Sequence, residues 1–378
     1  MVRQIFKEII FFDKQKRLLY NNQYIIVNGG EYPMKLKKIL AVLLAAVCVM
    51  SGLVLSAGAV SINSGRNALL KTFTNAVASN GFDYLAFSPK KGDNDTQKYP
   101  LMVWLHGMKS GQKPGSQLQW YGFSNWASDE YQARFVQGGC YLLAPRACNA
   151  TNNWDSTLAS NLKKIIDEYL ERNKENIDTS RIYIGGYSTG GVMVWTMLSR
   201  YPGFFAAGLP LASITQPATL ELENLRDTSV WIMCCDIDNY VGGRTTAARE
   251  TFNYLKSITH RKSGIRMTNM TEAVLANGKK KTETKNGQTV VASDAEHYVW
   301  EAVTYDMHMT DRVTPYLYAT TVDGNGLTIN FDDPEQGVIS WLCQQSNEES
   351  SENQSSGFFA RIAAFFKKLF SFFLALFK

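Results

Sequence analysis

A short glycine-rich run constrains the fold of this chain more than any other feature. Residues 182–184 are apolar and read as the end of a strand, whereas residues 192–198 form an apolar run with helical spacing. Between them lies the pattern G-x-S-x-G, with Ser188 at its centre. A serine between a strand and a helix stands on a sharp turn, and the two glycines remove Cβ atoms that would collide there. The run therefore predicts a strand–turn–helix unit that presents the Ser188 hydroxyl beside a helix N-terminus.

Apolar runs alternate with helical patterns along much of the chain. Strands that are apolar throughout are typical of a parallel sheet that helices cover on both faces. The predicted class is α/β, with a mostly parallel central sheet, as in the α/β-hydrolase fold. The predicted strands are 101–105, 141–144, 182–184, 206–211 and 230–234, and the predicted helices between them are 160–172 and 245–256.

Two regions near His297 read as additions to that sheet. Residues 265–295 contain Asn-Gly pairs at 277–278 and 286–287, which predict a hairpin. Residues 307–331 also read as β structure. Because both regions flank His297, we expect them to shape the cleft around it.

Residues 34–59 have the layout of a secretory signal peptide. A basic start is followed by an apolar run over 39–55 and by small residues with an A-x-A site, cut after Ala59. A transmembrane anchor is the alternative, because the run is near the lower limit for spanning a bilayer. Cleavage fits the small-residue exit better, so we expect a secreted protein with its true start at Met34. Residues 1–59 are then an extension plus signal, and residues 60–345 are the folded domain.

The composition changes after Cys343. Residues 346–357 are polar and read as a linker. Residues 358–378 are dense in Phe and Leu, with cationic side chains recurring along one side of a helix. Such a helix predicts association with a membrane or the cell envelope. Packing onto the folded domain is the alternative.

Charge and cysteine content exclude some classes of partner. The formal net charge of +5 over 378 residues is small and the lysines are scattered, so no nucleic-acid surface is predicted. Five cysteines follow residue 59, with neither C-x-x-C nor Cys/His zinc spacing. No metal site and no cofactor are therefore expected.

A serine nucleophile needs a base, and the chain has 4 histidines. His106 directly follows a predicted strand, in a position suited to shaping a loop, and His260 lies in a basic, exposed stretch. His297 and His308 come late in the chain, which fits the order Ser…Asp…His of α/β-hydrolases. The residues alone leave these two open.

The acid that orients the base is expected just past the strand at 230–234. Asp236 and Asp238 both lie there. Asp238 is favoured because it has more room to turn toward an imidazole, whereas Asp236 is suited to orienting the loop.

Several short motifs between residues 82 and 345 together carry a family resemblance. They are Leu-His-Gly at 105–107, the run from Ile177 through Gly191, Tyr-Pro-Gly-Phe-Phe-Ala-Ala at 201–207, Asp-Asn-Tyr-Val at 238–241, His-Tyr-Val-Trp at 297–300 and Trp-Leu at 341–342. With these motifs, about residues 82–345 resemble the secreted esterases grouped with feruloyl esterases and polyhydroxybutyrate depolymerases.

The resemblance implies a nucleophile at Ser188, an acid at Asp238 and a base at His297, in preference to His308. An oxyanion hole needs preorganised donors, which we assign to the backbone N–H groups of Thr189 and Met108. Many relatives carry methionine at the position of Thr189. We expect this difference to be harmless, because only the amide is used.

Aromatic side chains are available to line a substrate site, although most are expected in the core. Trp154, in a polar loop after a predicted strand, is the one expected to meet solvent and ligand. The candidates are Trp120, Trp126, Trp154, Tyr187, Tyr240 and Trp300, of which Trp154, Tyr187 and Tyr240 are the predicted substrate contacts.

The sequence thus predicts a secreted serine esterase that acts through an acyl-enzyme on Ser188. Acyl or feruloyl groups on plant polysaccharide are the substrates that the resemblance implies. A serine peptidase of the same fold is the first alternative. A surface glycan-binding protein with an idle triad is the second.

Overall fold

The computed structural model describes residues 17–20, 23–26 and 68–347, with gaps at 93–94, 109, 119–121, 239–244, 271–279, 305, 307–318 and 330–336. The chain divides into two compact units, Met1–Ile62 and Asn63–Lys378. In the first unit, β1 (Arg17–Tyr20) pairs antiparallel with β2 (Gln23–Ile26). The signal peptide at 34–59, the helix at 358–378 and nearly all of the linker lie outside the described residues, so these remain predictions.

The second unit is built on a ten-stranded sheet. Its order is β14-β13-β10-β9-β8-β7-β5-β6-β4-β3, and a separate hairpin pairs β11 with β12. Six neighbouring strands of this sheet are parallel, namely β6, β5, β7, β8, β9 and β10. Antiparallel strands flank them on both sides. The strands are β3 (Thr74–Val77), β4 (Asp83–Phe87), β5 (Tyr99–Leu105), β6 (Tyr141–Pro145), β7 (Ile177–Tyr187), β8 (Ala207–Leu211), β9 (Ser229–Cys235), β10 (Ile265–Met270), β11 (Thr282–Lys285), β12 (Gln288–Val291), β13 (Ala319–Asp323) and β14 (Thr328–Ile329).

The middle of the sheet is buried on both faces because its central strands are mostly apolar, apart from the polar residues 178–181 of β7. Successive side chains of a strand point to opposite faces. In β5, Met102 and Trp104 therefore join one core, and Leu101 and Val103 join the other. This burial explains why the apolar runs predicted a parallel sheet.

Helices cover both cores. Val194 and Phe252, on two of the longer helices, pack in the same core as Val103, whereas Ile339 packs with Trp104. The α/β class with helices on both faces is therefore confirmed. The helices are α1 (Asp129–Gln132), α2 (Ala159–Arg172), α3 (Thr189–Arg200), α4 (Thr219–Leu222), α5 (Thr245–Ile258), α6 (Glu301–Thr304) and α7 (Val338–Cys343).

The region at 265–295 is only partly the added hairpin that the sequence predicts. Asn286 and Gly287, with φ of 52° and 77°, close the β11–β12 hairpin, but β10 continues the main sheet parallel to β9. The polar residues of β10 led the sequence analysis to place this segment outside the main sheet. Arg266 stacks on the buried Trp231 ring at 4.9 Å, and the Trp231 indole N–H donates to the Thr268 hydroxyl at 2.8 Å. β13 and β14 likewise extend this sheet.

Candidate active site

Ser188 occupies a strained turn between β7 and α3. Its φ of 57° and ψ of −119° lie in a region that side chains other than glycine rarely adopt. The Ser188 amide donates to the Leu211 carbonyl of the neighbouring strand at 2.9 Å, which anchors the turn. A Cβ on Gly186 would lie 2.9 Å from the Gly190 carbonyl oxygen, so the turn requires glycine there.

The loop that follows β5 packs directly on this turn. A Cβ on Gly107 would stand 2.6 Å from the Tyr187 ring and 3.4 Å from the Ser188 Cβ. Thr189 begins α3, and Met108 follows Gly107 with its side chain 50% exposed. The two residues assigned as oxyanion donors thus lie on the two segments that meet at Ser188, and their roles stay predictions.

His106 holds this loop rather than acting as a base. The Ala147 amide donates to His106 Nε2 at 3.1 Å, so the ring proton resides on Nδ1, which donates to the Gly107 carbonyl at 2.7 Å. Burial lowers the pKa of His106 to about 4. The neutral imidazole therefore ties the 106–108 loop to the end of β6.

Asp238 and His297 form a buried pair at the same edge of the sheet. His297 Nδ1 lies 2.6 Å from Asp238 Oδ2, and their side chains are 8% and 2% exposed. Asp238 follows β9, which is separated from β7 only by β8. Because β7, β8 and β9 run parallel, Ser188 and Asp238 both follow the carboxyl ends of their strands, at one edge of the sheet.

Trp300 connects the histidine to the serine turn. Its ring lies edge-on to His297 at 5.2 Å and packs against Tyr187, the neighbour of Ser188, at 4.4 Å. The structure thus brings a hydroxyl, an imidazole and a carboxylate into one region. This set of groups suits acyl transfer through a serine nucleophile.

The other acid and base candidates face elsewhere or lie outside the described residues. Asp236 accepts from the Asn269 side chain at 2.7 Å and lies 3.5 Å from Arg249, in an exposed position. His260 is exposed and lies 3.1 Å from Asp227. His308 lies outside the described residues.

The predicted aromatic wall needs correction. Trp154 is only 3% exposed, because its ring packs against His106 at 5.4 Å, so the expectation that it meets solvent is wrong. Tyr187 is also 3% exposed, and its hydroxyl donates to Ser110 at 3.0 Å, so it supports the site from behind. Trp126 and Trp300 are buried. Trp120 and Tyr240 lie outside the described residues.

Two sets of ion pairs around His297 were missed by the sequence reasoning. Lys280 pairs with Glu296, and Lys281 pairs with Asp294 at 2.5 Å, so the segment that enters the β11–β12 hairpin is tied to the two acids that precede His297. The signal for these pairs is a run of three lysines at 279–281, before the hairpin, and two acids after it.

The second set lies past α6. Asp306 pairs with Arg134 at 2.9 Å and accepts from the Ile339 amide at 2.9 Å. It thereby fixes the end of the segment that carries His297. No sequence pattern marks Asp306, because its partners are far away along the chain.

The described ranges contain neither a cluster of metal-ligating side chains nor a helix that could span a membrane. None of their histidine, cysteine and acidic side chains forms a group of three that suits a metal ion. No helix in those ranges has the length and apolar character to cross a membrane.

Comparison with known proteins supports the fold. Residues 149–270 match the sequence profile of the prolyl oligopeptidase family. A thermostable esterase of known structure is 23% identical, with a TM-score of 0.51, and the match covers 74% of this chain and 64% of the esterase. The chain thus spans less than two thirds of that relative. None of the curated proteins matches the sequence.

Two further solved structures are more distant. The acylaminoacyl peptidase of Pyrococcus horikoshii is 17% identical, with a TM-score of 0.38 over 53% of this chain and 37% of the peptidase. A ferulic acid esterase is 13% identical, with a TM-score of 0.39 over 52% of this chain and 88% of the esterase. From the sheet topology, the serine turn and the match to the thermostable esterase, we conclude that the chain has the α/β-hydrolase fold.

Proposed function

We propose that this protein is a serine hydrolase that cleaves carboxylic esters through an acyl-enzyme on Ser188. The observation that carries the proposal is the buried Asp238–His297 contact of 2.6 Å, at the sheet edge where Ser188 occupies its strained turn. The φ of 57° at Ser188 supports the same function, because backbone strain of this kind persists where a function depends on it.

The reaction would proceed in two halves. His297 accepts the proton of Ser188 as Oγ attacks the ester carbonyl carbon, and the carbonyl oxygen becomes an oxyanion facing the amides of Thr189 and Met108. The tetrahedral intermediate collapses, and the alcohol leaves with the proton from His297. Water then attacks the acyl-enzyme with His297 as base, which releases the acid and restores Ser188. Asp238 orients the imidazole throughout.

Replacement of the nucleophile tests this proposal. Ser188→Ala should abolish p-nitrophenyl acetate hydrolysis and covalent labelling by a fluorophosphonate. Ser257→Ala, at an exposed serine on α5, is the matched control and should keep both. Full activity in Ser188→Ala would refute the mechanism.

The acyl and alcohol parts of the substrate rest on weaker support. The sequence resemblance to feruloyl esterases favours acyl or feruloyl groups on plant polysaccharide. The match of residues 149–270 to the prolyl oligopeptidase family favours a peptidase as the second candidate. Turnover of matched ester and amide substrates with the same acyl group decides between the two candidates.

We also propose that the protein is exported, from the signal layout at 34–59. N-terminal sequencing of the mature protein should begin at Val60. A mature chain that still begins at Met1 or Met34 would contradict export with cleavage.

A further inference from the structure

Tyr187 meets the loop after β5 on each side of Met108, whose amide is the second assigned oxyanion donor. On one side, a Cβ on Gly107 would stand 2.6 Å from the Tyr187 ring. On the other side, the Tyr187 hydroxyl donates to the Ser110 hydroxyl at 3.0 Å. Tyr187 and Ser110 are 3% and 7% exposed, so this bond is sheltered from competing water. One buried side chain therefore holds the loop at both ends of the Met108 segment.

The direction of the Met108 amide depends on the Gly107 carbonyl. The two groups belong to one planar, trans peptide unit, so the N–H points opposite to the C=O. The Gly107 carbonyl accepts from His106 Nδ1 at 2.7 Å and from the Ser110 amide at 3.3 Å. The second bond is near the long limit for its type, so a small displacement of Ser110 breaks it. The position of Ser110 therefore helps to set where the Met108 N–H points.

Tyr187 is itself held firmly, and it lies next to the nucleophile. It is the last residue of β7 and directly precedes Ser188. Its ring packs against Trp300 at 4.4 Å, and Trp300 lies edge-on to His297 at 5.2 Å. The same side chain thus joins the strand end that carries the nucleophile to the loop that carries the assigned donor.

We propose that Tyr187 is a positioning residue, whose hydroxyl holds the Met108 amide in register with Ser188 by way of Ser110. This inference rests on the proposed ester hydrolysis. An oxyanion donor acts only if it is aimed at the place where negative charge develops, and a misplacement of about 1 Å is costly. Because that charge is absent from the bound ester, loss of the alignment lowers kcat more than it changes KM.

The test removes each end of the Tyr187–Ser110 bond. Tyr187→Phe keeps the ring and removes the hydroxyl, so kcat for p-nitrophenyl acetate should fall about 5- to 20-fold with a smaller change in KM. Ser110→Ala removes the acceptor and should cause a similar loss. Because both changes break one bond, the double variant should stay within about twofold of either single variant.

A boronic acid inhibitor gives a readout that stability alone does not move. It forms a tetrahedral anion on the serine, so its affinity for Tyr187→Phe should fall in proportion to kcat.

Tyr183→Phe is the matched control, because Tyr183 lies four residues earlier on the same face of β7. Its buried hydroxyl donates to the Gln345 carbonyl at 3.2 Å instead of to the oxyanion loop. Each of the two Phe variants loses one bond of a buried hydroxyl, so Tm should fall by roughly 2–4 °C in both. Only Tyr187→Phe should lose kcat.

Wild-type kcat in Tyr187→Phe overturns the inference, as does an equal loss of kcat in Tyr183→Phe. Losses that multiply in the double variant overturn it too, because Tyr187 and Ser110 would then act separately. These outcomes leave the proposed ester hydrolysis intact as long as Ser188→Ala is inactive. An active Ser188→Ala variant refutes the proposed function itself, whatever Tyr187 does.

Discussion

His297 Nδ1 and Asp238 Oδ2 lie 2.6 Å apart, with both side chains nearly closed off from solvent. A contact of this kind fixes the plane of the imidazole and keeps the proton on Nδ1. Nε2 is then the atom that can accept a proton from Ser188. The carboxylate therefore acts through the orientation and tautomer of the His297 ring.

Asp238→Asn should lower kcat by about 10³- to 10⁴-fold with a small change in KM, because the amide stabilises the wrong tautomer of His297. Steady-state hydrolysis of p-nitrophenyl acetate gives both constants. Asp236→Asn is the matched control, since Asp236 contacts Asn269 and Arg249 instead of the histidine. Equal losses in the two variants would show that the loop, and not the His297 contact, matters.

We expect the buried His106 to make the free energy of unfolding fall in mild acid. Its pKa falls from 6.5 to about 4 in the folded chain, so the unfolded chain binds more protons between these values. The stability that this neutral histidine contributes is fully present above pH 6.5. As the pH falls from 6.5 to 4, the free energy of unfolding should decrease by on the order of 3 kcal/mol. Urea unfolding at a series of pH values measures this decline.

His106→Gln should be less stable than wild type at pH 7, and the gap should narrow toward pH 4. A wild-type slope in His106→Gln would mean that other groups cause the acid sensitivity.

The central architecture was readable from sequence because local signals and tertiary burial agree there. The runs at 101–105, 141–144 and 182–184 are apolar throughout, and only a doubly covered sheet buries them, so the α/β class followed from the pattern. β10 lies in the sheet although it is not apolar throughout, because the Arg266 side chain is buried against the ring of Trp231. No local pattern reports a partner 35 residues away.

The candidate site was readable in its chemistry but not in its surroundings. The serine turn has a local signature, whereas the contact of Asp238 with His297 spans 59 residues of sequence. Trp154 was misjudged because a polar loop predicts exposure, and packing against His106 overrode that tendency.

Asp306 should contribute strongly to stability. Its side chain is 2% exposed and neutralises Arg134, which is itself 24% exposed. Asp306→Ala removes the buried carboxylate that accepts from that guanidinium and from the Ile339 amide, so the free energy of unfolding should fall by about 3 kcal/mol. Chemical denaturation with guanidinium chloride measures the loss.

Glu130 offers the comparison for Asp306, because it pairs with the same arginine but is 61% exposed. Glu130→Ala should cost no more than about 0.5 kcal/mol. Similar losses in both variants would mean that burial of the Asp306 carboxylate gives the pair no special weight.

Membrane association through residues 358–378 remains a proposal that rests on sequence. Cationic side chains at Arg361 and Lys368 recur along one side of a run otherwise rich in Phe and Leu, which suits the interface of an anionic bilayer. The full chain should partition onto phosphatidylglycerol vesicles, and a chain ending at Gly357 should not. Arg361→Gln and Lys368→Gln should each weaken binding by about fivefold, since each nearby charge contributes about 1 kcal/mol. Equal partitioning of the full and shortened chains would sink the proposal, and binding that is insensitive to both charge changes would assign the affinity to the aromatic face alone.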